Sequence, residues 1–174
     1  MEQKSTSTVT KGFIIGLVII AVTLGLSFSG MDMNSSLRWL PYLIFCIGIV
    51  LSISLYGKQV QHNSTFGNYF AHGFKISALV TIIMIAYTVI FISVFPEFKE
   101  KGLDAAREAM REQKSMSEEE INTGIEMTKR FFMVGLIGGI LLFYIMTGAI
   151  ASLIGAAVTK KDPRPLDDLN QISA

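Results

Sequence analysis

The side chains able to do chemistry in this sequence are few and scattered. The 174 residues include two histidines and one cysteine. His62 and His72 both fall in a polar connection between two long apolar runs. His72 and Lys75 are three apart, a spacing that shares one helix face, and at a membrane interface the pair reads as an anchor. Nucleophilic catalysis needs a base within hydrogen-bond reach of the nucleophile. Ser52, Ser77, Ser152, Thr81 and Thr147 have no such base in their own apolar runs, so they are expected to bond to backbone or to a neighbouring helix. Cys46 is also inside an apolar run. Alone it makes no internal disulfide and no cysteine metal site, and it is expected as a small buried residue. The dense cluster is "EQKSMSEEEINTGIEM", Glu112 to Met127. Glu118, Glu119, Glu120 and Glu126 could form an acidic patch for a cation or a basic partner, although they lack the alternating oxygen ligands of a calcium loop. Ser117 with Glu120 three residues later is a capping box, and acids on a first helical turn suit the helix dipole. That gives the glutamates a structural role without an ion. No catalytic set, metal site or cofactor is expected, and the chain reads as non-enzymatic.

The elements that must carry these residues are membrane helices. Only 17% of the residues are charged, against about 25% in soluble domains, and mean hydropathy is +0.49. A transmembrane helix needs roughly 20 mostly apolar residues. Four segments qualify: residues 12–30, 39–57, 73–95 and 131–158. The fourth exceeds one bilayer thickness and is expected to tilt or project. Trp39, Tyr42, Tyr56 and Tyr69 fall near the boundaries, as interfacial aromatics do. The first segment is read as a retained span, since its apolar run is long for a signal peptide and the preceding residues are barely basic. The domain expected is a single four-helix membrane domain over 12–158, with a polar tail at 1–11 and a basic, flexible tail at 159–174. Lys4, Lys11, Lys58, Lys75, Lys160, Lys161 and Arg164 would share one side, which favours cytoplasmic termini. Net charge is +1 and no basic patch is interleaved with aromatics, so nucleic acid is not an expected partner.

Residues 96–130 read as a short extramembrane helical hairpin between the third and fourth spans. "EFKEKGLDAAREAMREQ" is rich in helix formers and places Leu103, Ala106 and Met110 on one face. Ile121, Ile125 and Phe132 continue an apolar stripe into the fourth span. The middles of the spans hold no ionisable residue, which argues against a proton-coupled pump. They do hold small residues at close-packing intervals: Gly12 with Gly16, Gly135 with Gly139, Gly148 with Ser152, and Ala151 with Gly155. Such rows let helix backbones approach closely in lipid, within one chain or between chains. The sequons at Asn34 and Asn63 are short matches that carry no weight.

Several phrases together point to a family. "STFGNYFAHGF" opens the third span, "VFPEFKE" leaves it, "MSEEEINTGIEMTKRFF" leads into the fourth, and "ASLIGAAVTKKDP" closes it. In this order they resemble the domain-of-unknown-function family 4199, small membrane proteins largely of Bacteroidota. The resemblance runs from the first helix to about Pro163. It implies an all-α, polytopic fold with four transmembrane helices in a bacterial inner membrane, and it supplies no activity. The function expected is a non-enzymatic accessory or assembly subunit whose partners are the lipid bilayer and another membrane or envelope protein. The alternative is an oligomeric channel or transporter for a small solute. A lipid-modifying enzyme would need His72, or the carboxylates beside Glu118, to converge on a headgroup cavity.

Overall fold

The structure, a computed structural model, describes residues 7–29, 36–112 and 117–160. The Asn34 sequon, Lys114–Met116 and the tail beyond Lys160 lie outside the described residues. Among the described residues the fold is all-α. Its elements are α1 (Thr8–Phe28), a 3-10 turn (Ser36–Trp39), α2 (Leu40–Gln59), α3 (Phe66–Val94), α4 (Glu97–Glu112) and α5 (Glu118–Val158).

The ends of these helices follow local chemistry. Ser7 caps α1, its hydroxyl accepting from the Val9 N–H at 3.3 Å. Pro41 stands in the first turn of α2, where its missing N–H costs nothing. After α2, Gln61 and His62 adopt φ of 52° and 60°, and the His62 N–H returns to the Gly57 carbonyl at 2.7 Å. This left-handed pair reverses the chain into α3. The Thr65 hydroxyl accepts from the Asn68 N–H at 3.3 Å, so α3 starts at Phe66, ahead of the apolar run expected at Gly73. Pro96 separates α3 from α4, and its carbonyl accepts from Lys99 at 3.0 Å. At α5 the capping box is complete. The Glu120 N–H donates to the Ser117 hydroxyl at 3.3 Å, and the Ser117 N–H donates to the Glu120 carboxylate at 2.7 Å. α5 then runs unbroken for 41 residues, about 62 Å, against about 30 Å of hydrocarbon. Its charged first turns and its apolar continuation are one helix.

The chain divides into two compact units. The first, Met1–Ile83 with Phe143–Ala174, packs α1, α2, the first part of α3 and the last part of α5 as an antiparallel bundle. Ile19, Phe45, Ile49, Ile53, Ile76 and Val80 are fully buried there. In lipid such helices associate through close packing and hydrogen bonds rather than through exclusion of water. Small residues make the close approaches. Gly148 faces Ser77, whose hydroxyl donates to the Tyr144 carbonyl at 3.3 Å. Gly155 lies against Ile53 and the Val50 backbone, and Gly73 lies against Ile53 and the Ser152 hydroxyl.

The second unit is Met84–Leu142. Here α4 and the start of α5 fold back as a hairpin. Gly102 faces the Phe132 ring, Gly124 faces the Met110 sulfur, and Ile121 and Ile125 are buried. Lys99 stands 5.6 Å from the Phe132 ring centroid. The one ion pair among the described residues, Arg111 with Glu118 at 3.3 Å, is exposed on both sides and contributes little.

Candidate functional site

Polar side chains collect at the end of the first unit that carries the start of α1, the end of α2, the start of α3 and the end of α5. Three of these helices each offer a pair three residues apart, hence on one face. They are Thr8 and Lys11 on α1, Tyr56 and Gln59 on α2, and Tyr69 and His72 on α3. The Thr8 hydroxyl lies 3.4 Å from His72 Nδ1. Lys11 Nζ donates to the Gln59 side-chain carbonyl at 3.4 Å. The His72 ring stacks on Tyr56, centroids 4.2 Å apart and 8° between planes, and Tyr69 meets Tyr56 edge-on at 5.9 Å. Just beyond α5, the Lys160 carbonyl accepts from His62 Nδ1 at 3.0 Å, and Thr159 is buried beside Gly57.

Two atoms in this cluster are buried without a hydrogen-bond partner: His72 Nε2 and the Tyr69 hydroxyl. Their residues are 8% and 0% exposed. Lys11 is 7% exposed, and its ammonium has three hydrogens to donate but, among the described residues, only a neutral acceptor in Gln59. The described residues of this unit contain no aspartate or glutamate. Lys58, Lys75 and Lys160 stand exposed around the same end. Among the described residues the site therefore carries positive charge, no carboxylate and two unpartnered polar atoms.

This placement changes the expectation for His72. It is not an interfacial anchor paired with Lys75: it turns inward onto Tyr56 and Thr8, while Lys75 remains exposed. Tyr69, in the first turn of α3, is covered by its neighbours at this end rather than exposed there. Cys46 is half-buried and edges an open apolar groove of about 320 Å³ with Val50, Thr147, Ala151 and Ile154. The hydroxyls of Thr81 and Ser152 donate to the carbonyls four residues earlier in their own helices.

The acidic cluster is placed as follows. Glu118, Glu119, Glu120 and Glu126 are all exposed. Glu118 pairs with Arg111, and Glu120 belongs to the cap. The Ser117 backbone N–H, then its hydroxyl, hold the Glu120 carboxyl below the ordinary carboxylate range. Among the described residues no three His, Cys, Asp or Glu side chains group so as to hold a metal. The glycines divide into two sets. Gly12 meets Leu79 and Gly16 meets Ile83, while Gly148 and Gly155 are filled from α3 and α2. A Cβ added at Gly135, Gly138 or Gly139 would meet no atom within 4 Å.

Four helices long and apolar enough to cross a membrane, with a shorter helix between the third and fourth, define a multi-pass, all-α membrane protein. Residues 10–161 match the family described as Protein of unknown function (DUF4199). The chain belongs to that family, and it is a bacterial membrane protein. No curated protein and no solved structure matches it.

Proposed function

We propose that this protein is a non-enzymatic accessory or assembly subunit of the bacterial inner membrane that binds another membrane or envelope protein through α5. The observation that carries this reading is the open row Gly135, Gly138 and Gly139. On the same helix, Gly148 and Gly155 are filled by neighbours from this chain. Glycine disfavours a helix by roughly 0.5–1 kcal/mol relative to alanine, and in membranes it is favoured where another backbone comes close. An open row of glycines fits a helix supplied by a second chain. The exposed glutamates on the first turn of α5 and Glu126 would add contacts outside the bilayer. Lys11, Lys58, Lys75 and Lys160, at the end carrying the start of α1 and the end of α5, support cytoplasmic termini and a periplasmic α4.

The test is affinity purification from native membranes in mild detergent, comparing wild type with Gly135→Leu/Gly139→Leu. A stoichiometric foreign protein lost from the double variant, with the helical signal intact, is the expected result. A discrete homo-oligomer with no foreign protein would move the reading to a channel or transporter for a small solute. Orientation is checked with Glu112→Cys in a Cys46→Ala background. A membrane-impermeant maleimide should label it in intact spheroplasts.

A further inference from the structure

We propose that the end of the bundle bearing Lys11, His72 and Tyr69 binds a phosphate group, with Lys11 neutralising the anion and His72 Nε2 and the Tyr69 hydroxyl donating hydrogen bonds to its oxygens. The inference is independent of the partner-binding reading of α5. It starts from an imbalance. Buried polar groups in folded proteins are almost always hydrogen-bonded, and two at this end are not. Both belong to one face of α3, three residues apart, and both rings abut Tyr56. When the Thr8 hydroxyl donates to His72 Nδ1, the ring hydrogen sits on Nε2, so the unpartnered atom is a donor. The Tyr69 hydroxyl can donate as well, and among the described residues Lys11 has one acceptor for its three hydrogens.

What such a site lacks is a multivalent acceptor with negative charge. Phosphate has several oxygens, each able to take a charge-assisted bond. The described residues of this unit supply no carboxylate to compete for Lys11. Lys58, Lys75 and Lys160, exposed around the same end, add a field that draws anions to it. Basic clefts between transmembrane helices at the headgroup level suit lipid phosphates, and a free phosphate would use the same donors. The two unpartnered atoms are shielded in this structure, so entry requires a local opening. The first turn of α1 supplies it: Ser7, Val9 and Thr10 are exposed, and helix ends open at the lowest free energy.

The experiment uses the full chain in lipid nanodiscs. Thermal midpoints are measured with inorganic phosphate against chloride at matched ionic strength, in phosphatidylcholine alone. Native mass spectrometry then counts retained phosphatidylglycerol against phosphatidylcholine. A phosphate-specific midpoint rise in neutral lipid identifies a soluble ligand. Selective retention of phosphatidylglycerol without that rise identifies a headgroup. Either should weaken about tenfold or more in Lys11→Met and His72→Ala, the effect of losing one bond to a charged group, and should survive in Lys11→Arg. Tyr69→Phe guards against misfolded variants, because it removes only the unpartnered hydroxyl. Its unliganded midpoint should equal or exceed wild type while binding falls. No phosphate or headgroup preference in wild type, or unchanged binding in Lys11→Met and Tyr69→Phe, overturns the proposal.

Discussion

Gly148→Ala should be among the most damaging single-methyl additions in this protein. The new Cβ would coincide with the Ser77 hydroxyl and come within 2.5 Å of Ser77 Cβ, with Phe45 Cζ at 3.3 Å on another side. Rotating the serine removes only the first clash, because its Cβ cannot move without the backbone of α3. Phe45 is fully buried and has no free direction in which to yield. Forcing a methyl into a filled core costs about 1–3 kcal/mol. The separation also breaks the Ser77 hydrogen bond to the Tyr144 carbonyl, worth about 0.5–1.5 kcal/mol. The expected loss is therefore about 2–4 kcal/mol. Unfolding would be followed by titrating dodecyl sulfate into mixed micelles, with far-UV circular dichroism and the fluorescence of Trp39, the sole tryptophan. Ser77→Gly should rescue Gly148→Ala, since it removes both atoms in the way, whereas Ser77→Ala should not. Gly135→Ala, on the same helix but in open space, should be neutral or slightly stabilising in the isolated chain. Equal damage from Gly135→Ala and Gly148→Ala, or failure of Ser77→Gly to rescue, would refute the packing argument.

Ser117→Ala should fray the start of α5, lowering amide-exchange protection over Glu118–Ile121 about fivefold, the size of one lost cap. Glu120 makes that cap pH-dependent. Its carboxyl titrates below the unfolded value because Ser117 bonds the ionised form, so its contribution is full above the unfolded pKa and is lost as pH falls through the folded one. Protection factors at the start of α5, taken relative to the intrinsic exchange rate at each pH, should fall in acid for wild type, and Glu120→Gln should remove that fall. Ile125→Ala, removing a side chain only 7% exposed, should cost about 2–4 kcal/mol and expose α4 to limited proteolysis before the helical signal of the whole protein changes.

Long apolar runs and caps made most of the fold legible. A run such as that from Gly12 to Gly30 has one stable solution in lipid, a helix that satisfies its own backbone, so the number of spans follows from composition. Ser117 and Glu120 announce a helix start through their spacing, and their mutual hydrogen bonds are what that spacing predicts. Helix ends were less legible. The polar phrase preceding Gly73 lowers the local hydropathy without breaking the helix, and Thr65 sets the true start by capping it. The small residues were legible as a set but not by role. Gly139 and Gly148 look alike along the chain, yet one meets open space and the other meets Ser77, because what faces a glycine belongs to another helix.

The polar end was hidden for the same reason. Thr8 with Lys11, Tyr56 with Gln59, and Tyr69 with His72 are unremarkable pairs when read singly, each suited to a helix end at an interface. Only antiparallel packing of α1, α2 and α3 turns them onto one another, and only then do unpartnered polar atoms come to light. The signal legible in the sequence was charge: Lys11, Lys58 and Lys75 lie on helices whose described residues hold no acid in this unit. A topology argument treats those lysines as an orientation cue and stops there. Orientation needs basic residues near the interface but not a buried one, and Lys11 is 7% exposed. Lys11 has its stem packed among the helices and its ammonium part-buried against a neutral carbonyl, so an anion beside it would gain more than one beside an exposed lysine such as Lys75.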